Sequence, residues 1–378
     1  MKFFHLSDLH LGKRVNEFSM MDDQRYILME IVRLAKENKP DAILIAGDIY
    51  DKSVPTVEAV QLLDRFLVWL NELDISLYII AGNHDSVERV AFAASLLQKS
   101  NVHISRVYNG KIQSLPFQDE FGSINIWMLP HLRPSQVRSH FPDKNILTYS
   151  DAVSAVLENI EIETSMRNVL LAHQFVTGAI TSESEELYVG SSENVDGSLF
   201  DAFDYVALGH LHRPQHIGRE TLRYCGTPLK YSFSEVNQTK SILLVEMAEK
   251  DDVRISEIPL SPSRELREIR GSYAEITQRK NYIGTNTDDY VHITLTDEED
   301  EPEAMMKLRT IYPHLMRLDY DNKRTRTTSA IESTVNLDKK MPIELFEELY
   351  ELQNGQPMNQ VQEEYVGSLF AEIWEGNK

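Results

Sequence analysis

Apolar runs of four or five residues recur along this chain, each too short for a helix and each ended by a polar or glycine step. Phe3-Phe4-His5-Leu6 leads to Ser7-Asp8-Leu9-His10, Ala42-Ile43-Leu44-Ile45-Ala46 to Gly47-Asp48, and Leu77-Tyr78-Ile79-Ile80-Ala81 to Gly82-Asn83-His84-Asp85. Further on, Val169-Leu170-Leu171-Ala172 runs into His173, and Tyr205-Val206-Ala207-Leu208 into Gly209-His210-Leu211-His212. Unbroken apolar runs of this length, bounded by turn signals, read as buried strands. Helical periodicity lies between them. Asp22 to Asn38 carries Ile27, Ile31 and Leu34 on one stripe. Thr56 can cap a helix to about Leu73, with Val60, Leu63, Leu67 and Leu70 at helical spacing. A third helix is expected near Val87 to Lys99. The resulting β-α-β-α-β order is that of a layered sheet with helices on its faces.

The pattern continues with strands around Val102–Arg106 and Ile124–Leu129, a helix from about Tyr149 to Thr164, and strands near Leu222–Cys225, Ile242–Met247 and Val253–Ile258. Pro259-Leu260-Ser261-Pro262-Ser263 looks like a boundary. Beyond it Tyr290–Thr296 and Leu315–Tyr320 read as strands and Pro302–Tyr312 as a helix, which predicts a small α/β domain. The acidic run from Asp297 to Glu301 reads as a solvated turn. The segment from Met341 to Lys378 holds eight Glu and one Lys. It shows two helical stripes, Ile343, Phe346 and Tyr350, then Val361, Tyr365, Leu369 and Ile373, with Phe370 and Trp374 adding apolar surface. These stripes suit docking on a partner or on the chain's own core, and the partner is the expectation here. The predicted division is 1–260, 261–338 and 339–378. Val90, Phe92, Ala93, Leu96 and Leu97 make an almost all-round apolar surface, which predicts a homodimer through the helices after Asp48 and Asn83.

Charge changes the picture. A net charge of -21 over 378 residues argues against a protein that grips nucleic acid over a wide surface by itself, since phosphate affinity normally comes from Lys and Arg. It is compatible with an enzyme that reaches phosphate through divalent cations. One cysteine, Cys225, excludes a disulfide framework and suggests a reducing compartment. No signal peptide is visible and no apolar run approaches membrane-span length, so a cytoplasmic protein without membrane contact is expected.

The chemistry lies at the ends of the runs. A single His at a strand end is an ordinary polar residue, but five buried strands that empty Asp, Asn and His onto one edge make a site. The candidate metal ligands are Asp8, His10, Asp48, Asn83, His173, His210 and His212. Residues i and i+2 of a strand share a face, so Asp8 with His10, and His210 with His212, are each expected to grip an ion. Carboxylate, imidazole and amide donors without thiolate favour Mn²⁺, Fe or Zn²⁺ over Mg²⁺ or Ca²⁺. Two ions ~3.5–4 Å apart need a bridging group, and the carboxylate of Asp48 is placed for that part. With only Asp8 and Asp48 negative, two divalent ions leave the pocket positive by about two units, which suits a phosphate ester. Lys13 and Arg14, just past the first motif, are candidate phosphate contacts. Tyr188, in the Gly178–Gly197 loop, is a candidate for stacking on a base.

In order and spacing these blocks resemble the calcineurin-like metallophosphoesterases over roughly residues 1–260. Ser7-Asp8-Leu9-His10-Leu11-Gly12, Gly47-Asp48-Ile49-Tyr50-Asp51, Leu208-Gly209-His210-Leu211-His212-Arg213-Pro214-Gln215 and Tyr224-Cys225-Gly226-Thr227-Pro228 are similar to the SbcD branch. Members of that branch are bacterial double-strand-break repair nucleases that pair with an SbcC-type SMC ATPase. The resemblance implies an α/β fold: a layered metallophosphoesterase sheet core with flanking helices, a small DNA-capping α/β domain and a helical C-terminal tail that binds the ATPase. It implies two divalent ions, Mn²⁺ by expectation, one held by Asp8, His10, Asp48 and His212 and the other by Asp48, Asn83, His173 and His210. His84 matches the family's catalytic histidine, which protonates the departing sugar oxygen, with Asp85 placed to orient it. Relatives in eukaryotes and archaea often carry a His where this chain has Asp51.

The implied activity is hydrolysis of phosphodiester bonds at DNA ends and hairpins, as a 3'-5' exonuclease and single-strand endonuclease in DNA repair, recombination and replication. The implied assembly is a homodimer within a heterotetramer that includes the ATPase. Two other readings are weaker. A small-molecule or cyclic-nucleotide phosphodiesterase has no need of a capping domain and tail, and a catalytically silent scaffold has no need of intact ligands at every motif.

Overall fold

The buried runs do form strands, but in two sheets rather than one. The computed structural model describes residues 1–185, 194–323 and 325, and in the tail 346–347, 349–351, 357–363, 365–366 and 369. Strand β1 (Lys2–Leu6) is followed by α1 (Met21–Asn38), β2 (Ala42–Ala46), α2 (Val57–Asn71), β3 (Ser76–Ile80) and β4 (Val102–Ile104). These four strands lie side by side and parallel. Next come β5 (Gln113–Asp119), β6 (Gly122–Leu129), α3 (Tyr149–Glu158), β7 (Arg167–His173), β8 (Tyr205–Gly209), β9 (Gln215–Ile217) and β10 (Arg219–Tyr224). Their strands build a second sheet in the order β9-β10-β8-β7-β6-β5. The chain then returns to the first sheet through β11 (Ser241–Met247) and β12 (Val253–Pro259), with β11 antiparallel to β1.

Successive residues of one strand serve different cores. Phe3, Leu44, Ile80, Ile126, Leu171, Ala207 and Val245 pack together between the two sheets. Phe4, Ile43 and Ile45 point the other way, against Ile27 and Ile31 of α1 and Phe66 of α2. Leu170, Val206 and Leu208 likewise meet Val153 and Val156 of α3. Burial on both faces is the reason the runs are continuously apolar instead of alternating.

The helices depart from expectation in detail. Thr56 does cap α2, its Oγ1 accepting from the Ala59 N–H at 3.2 Å. The buried stripe, however, is Ala59, Leu62, Phe66 and Leu70, and Val60 is 44% exposed. The expected helix over Val87–Lys99 is broken into turns at Val87–Val90 and Ala94–Leu97, because Ala93 adopts a left-handed φ of 59°. Val90 and Ala94 turn inward there, while Phe92 and Leu96 are exposed. Strand β5 is an addition to the expected set, since its Gln, Ser and Pro residues mask the pattern. It is an edge strand, where Pro116 is tolerated.

The described residues divide into two units. The first comprises Met1–Arg270, Ala274–Thr294 and Glu303–Asp319. Within it, Tyr290 Oη donates to Asp23 Oδ2 of α1 at 2.6 Å, and Arg264 also reaches the buried Asp23. Strands β13 (Leu266–Gly271), β14 (Tyr290–Leu295) and β15 (Leu315–Tyr320) form a separate three-stranded sheet in that order, and the expected helix between the last two spans only Ala304–Arg309. The second unit comprises Gly271–Tyr273, Leu295–Pro302 and Tyr320–Lys378. In it the acidic run opens a turn, with the Asp297 carboxylate accepting from the Tyr273 N–H at 2.7 Å. Ile343, Phe370, Ile373 and Trp374 of the tail stripes lie outside the described residues, whereas Phe346, Val361, Tyr365 and Leu369 are exposed. Among the described residues no helix is long and apolar enough to cross a membrane.

Candidate metal centre

Past the strand ends the backbone does not continue in extended form. Asp8, His10, Asp48 and His210 all have positive φ, at 54°, 44°, 50° and 101°. Strand alternation therefore does not align Asp8 with His10 or His210 with His212, contrary to expectation; left-handed turns aim these side chains. Such backbone costs on the order of 1–3 kcal/mol per residue and persists only where the surroundings enforce it. Here the loops after β1 and β2 are zipped together, with Asp8 N–H to Gly47 O at 3.0 Å, His10 N–H to Asp48 O at 3.0 Å and Leu11 N–H to Ile49 O at 2.9 Å.

Two glycines let the sheets meet. Gly47 has φ 90°, and a Cβ there would lie 2.2 Å from Nδ1 of His173. A Cβ on Gly209 would lie 1.9 Å from the Ala46 carbonyl oxygen. Without side chains at these positions, the end of β2 touches the ends of β7 and β8, and His173 Nδ1 donates to Ala46 O at 2.8 Å.

The seven expected ligands come together, Asp8, His10, Asp48 and Asn83 from the first sheet and His173, His210 and His212 from the second. His10 Nε2 is 3.1 Å from His212 Nε2 and 3.7 Å from Asp48 Oδ2. His173 Nε2 lies 3.4 Å from Asp48 Oδ2. Asp8 accepts from the His210 N–H at 2.9 Å, which ties the last motif to the first. Asp8, His10 and His212 form one group able to hold a metal ion; Asp8, Asp48 and His173 form another, and His10, Asp48 and His84 a third.

The donor chemistry fits a cation. Asn83 Oδ1 lies 2.9 Å from both His173 Nε2 and His210 Nδ1. The Nδ1 proton of His173 is committed to Ala46 O, so a neutral His173 presents a lone pair at Nε2, and a carboxamide oxygen cannot donate to it. Lone pairs packed this closely require a shared proton or a metal ion. The electrostatics show the same demand. Burial opposes charge on His173, but Asp48 and Asp8 overcome it and raise its pKa to about 9. Burial likewise works to protonate Asp48, yet His173, His10 and His84 hold its pKa well below the usual carboxylate range. Burial pushes Asp8 up to about 7, with Asp48 adding to the effect, and pulls His210 down to about 3.

His84 lies at the rim, its ring partly exposed. Its N–H donates to Asp48 Oδ1 at 2.9 Å, its Nδ1 donates to the Asp51 carbonyl at 2.9 Å, and its Nε2 is 4.0 Å from Asp48 Oδ2. The orienting contact expected from Asp85 is thus made by the main chain of Asp51. The Asp85 carboxylate instead accepts from the backbone N–H groups of Ile49, Tyr50 and Gly82, at 3.0, 2.9 and 2.9 Å. Burial, with Asp48 adding to it, pushes its pKa up to about 6. Lys13 is paired with Asp51 at 2.8 Å and stands 5.6 Å from the centroid of the Tyr231 ring. Arg14 donates to the Glu17 carbonyl. Tyr188 lies outside the described residues.

Sequence reasoning missed the supports of the first loop. Gln24 Nε2 donates to the His10 carbonyl at 2.7 Å and to Tyr231 Oη at 2.9 Å, while Tyr231 Oη donates to the Leu9 carbonyl at 2.8 Å. The available signal was a glutamine on the buried face of an amphipathic helix.

Comparison with known proteins shows the family. The family profile described as calcineurin-like phosphoesterase matches residues 1–214, and one described as type 5 capsule protein repressor C-terminal domain matches residues 262–354. The chain is 34% identical over 380 residues, covering 99% of each protein, to the SbcD subunit of the nuclease SbcCD from Staphylococcus epidermidis. Among solved structures it is similar to a dimetal phosphatase from Danio rerio, at 10% identity and TM-score 0.43 over 70% of this chain and 99% of the other. It is also similar to TT1561 of Thermus thermophilus, at 12% identity and TM-score 0.37 over 68% of this chain and 98% of the other.

Proposed function

This chain belongs to the calcineurin-like phosphoesterases as a metal-dependent phosphodiesterase of the nuclease type, and from that premise we propose that it is the DNA-cleaving subunit of an SbcCD-type complex. The observation that carries the reading is the meeting of seven carboxylate, amide and imidazole side chains from two sheets, with lone pairs facing one another. Asp8, His10, Asp48 and His212 would hold one divalent ion, and Asp48, Asn83, His173 and His210 the other. The mixed oxygen and nitrogen set suits Mn²⁺, Fe or Zn²⁺, and Mn²⁺ is proposed on the likeness to SbcD. When bound, the pair supplies Lewis-acid neutralisation of the phosphate oxygens and lowers the pKa of water.

The chain's own residues supply the rest. Asp48 Oδ2 lies 3.7 Å from His10 Nε2 and 3.4 Å from His173 Nε2, so its carboxylate would serve both ions. Asp51 fixes the His84 ring through Nδ1, so the second proton of the imidazolium sits on Nε2, the atom left to face the departing sugar oxygen. Transfer of that proton as the P–O bond breaks prevents build-up of charge on the leaving group. Asp85 acts one step back, by fixing the backbone that carries Asp48 and Asn83.

The division into a nuclease region at 1–260, a capping region at 261–338 and a partner-binding tail at 339–378 belongs to the same proposal. So do an SbcC-type SMC ATPase as partner, DNA ends and hairpins as substrates, and a cytoplasmic location. Exposed Phe92 and Leu96 support self-association of the nuclease region within a heterotetramer. Lys13 and Arg14 are proposed as contacts to the DNA backbone, and Tyr188 as a base contact.

The test is incubation of the purified chain with Mn²⁺ and linear DNA, hairpin DNA or bis-nitrophenyl phosphate, with and without an SbcC-type ATPase. Cleavage of DNA as well as the diester is the expected result. Hydrolysis of the small diester with no DNA cleavage under any condition would replace this reading with a small-molecule phosphodiesterase. A chain ending before Met341 should keep diester hydrolysis and lose binding of the ATPase.

A further inference from the structure

Every polar atom of His212 but one is held by protein. Its N–H donates to Glu185 Oε1 at 2.7 Å, and its carbonyl accepts from Lys240 Nζ at 2.7 Å and from the Thr227 N–H at 3.2 Å. Its Nδ1 is 2.5 Å from Ser184 Oγ. The Ser184 hydroxyl also contacts Glu235 Oε1, and Glu235 Oε2 lies 2.6 Å from Lys240 Nζ. Glu235 is fully buried and Lys240 is 4% exposed. Only Nε2 of His212 is left, and it faces His10 Nε2.

The direction of the chain of contacts follows from counting protons. Lys240 Nζ, 2.6 Å from Glu235 Oε2, pairs with Glu235 and makes it the acceptor at the end of the chain of contacts. The single hydroxyl proton of Ser184 therefore goes to Glu235, and Ser184 must accept from His212 Nδ1–H. That fixes the ring as the Nδ1–H tautomer with its lone pair at Nε2. The opposing ligand is built differently: His10 Nδ1 has no hydrogen-bond partner, and the nearest carboxylate oxygen, on Asp51, is 3.8 Å away.

We propose that Ser184, Glu235 and Lys240 are positioning residues, a relay that sets the tautomer of His212 and strengthens it as a ligand for the ion it shares with Asp8 and His10. The proposal rests on the two-ion reading given above. A carboxylate behind a ligating imidazole fixes its orientation and raises its basicity, and loss of such a partner typically costs 10–100-fold in metal affinity. Because Ser184 and Glu185 are adjacent, one loop controls both the ring and the backbone of this ligand.

The experiment uses the full chain with Ser184→Ala and Ser184→Thr, at a partly exposed position where neither change disturbs the core. Mn²⁺ titration by calorimetry should show two ions in the unaltered protein. In Ser184→Ala the affinity for one ion should fall ~10–100-fold, the other remaining unchanged, and Ser184→Thr should restore it. Nitrogen-15 shifts of the His212 ring in the metal-free protein give an independent reading: Nδ1–H in the unaltered and Thr forms, mixed tautomers in the Ala form. Unchanged binding of both ions by Ser184→Ala, or an Nε2–H tautomer in the unaltered protein, overturns the relay alone. Failure of the unaltered chain to bind two ions removes the two-ion reading and the ligand role with it.

Discussion

The main-chain carbonyl of Asp51 accepts from His84 Nδ1 at 2.9 Å and thereby sets the ring so that Nε2 stands 4.0 Å from the Asp48 carboxylate. The proposed role of His84 is to transfer a proton without being needed to retain an ion. His84→Ala should keep two bound Mn²⁺ and near-normal DNA affinity, while turnover on DNA falls by about 10²–10⁴. The loss should shrink on bis-nitrophenyl phosphate, whose leaving group barely needs a proton. Metal analysis beside rates on both substrates checks this; an ion missing from the variant would make His84 a ligand.

Asp48→Ala should behave differently. Its carboxylate lies within 4.0 Å of His10, His84 and His173 nitrogens, so its removal takes away the charge shared by the two ligand groups. Activity on every substrate should vanish together with the stabilisation by metal. In the unaltered protein, saturating Mn²⁺ at about 100 times its dissociation constant should add about 2.7 kcal/mol per site. Thermal unfolding with Mn²⁺ or a chelator measures both; a metal-dependent rise surviving in Asp48→Ala would contradict the bridging role.

His5, between the sheets, predicts the acid sensitivity of the fold. Its Nε2 donates to the Leu208 carbonyl at 3.1 Å and its Nδ1 accepts from Tyr205 O–H at 2.9 Å. Burial pulls its pKa from 6.5 to about 3, so the folded chain keeps it neutral while the unfolded chain takes up a proton below 6.5. Its contribution is complete above pH 6.5 and is lost as pH falls from there towards about 3. The slope is up to about 1.4 kcal/mol per pH unit. Urea unfolding at pH 7 and pH 5 should show a smaller difference for His5→Gln than for the unaltered chain. Equal differences would remove His5 as the source.

Asp85→Ala removes three backbone acceptor contacts at once, leaving the N–H groups of Ile49, Tyr50 and Gly82 unpaired in a buried loop. A loss of about 2–5 kcal/mol is expected, since unsatisfied buried donors cost about 1–3 kcal/mol each and the three share one partner. The check is the denaturant midpoint alongside turnover per metal-loaded molecule. Full stability with lost turnover would return Asp85 to a direct part in the chemistry.

The five strands and their ligand ends were legible because burial on both faces leaves an unbroken apolar run and a glycine marks each close approach. Their distribution over two sheets was not, since pairing of β7 with β8 rather than with β3 depends on contacts far apart in sequence. The phase of α2 is hidden for a local reason. Ala59 takes the fully buried inward position, close to Gly12, and Val60 outscores it on hydrophobicity alone. Ser184, Glu235 and Lys240 carry no pattern at all, being single polar residues in polar stretches that only folding brings behind His212.

Strand β1 has β2 on one side and β11 on the other, with Lys2 opposite Glu246. Synthesis releases β1 first and β11 only after all seven ligand residues have left the ribosome. Until then the growing chain displays a bare strand edge in the middle of one of its two six-stranded sheets, the kind of surface that recruits chaperones or other nascent chains. A gene fragment cut just after His212 would encode every ligand and still yield insoluble protein. Expression work on this nuclease should therefore place its shortest boundary beyond Pro259, where β12 closes the sheet.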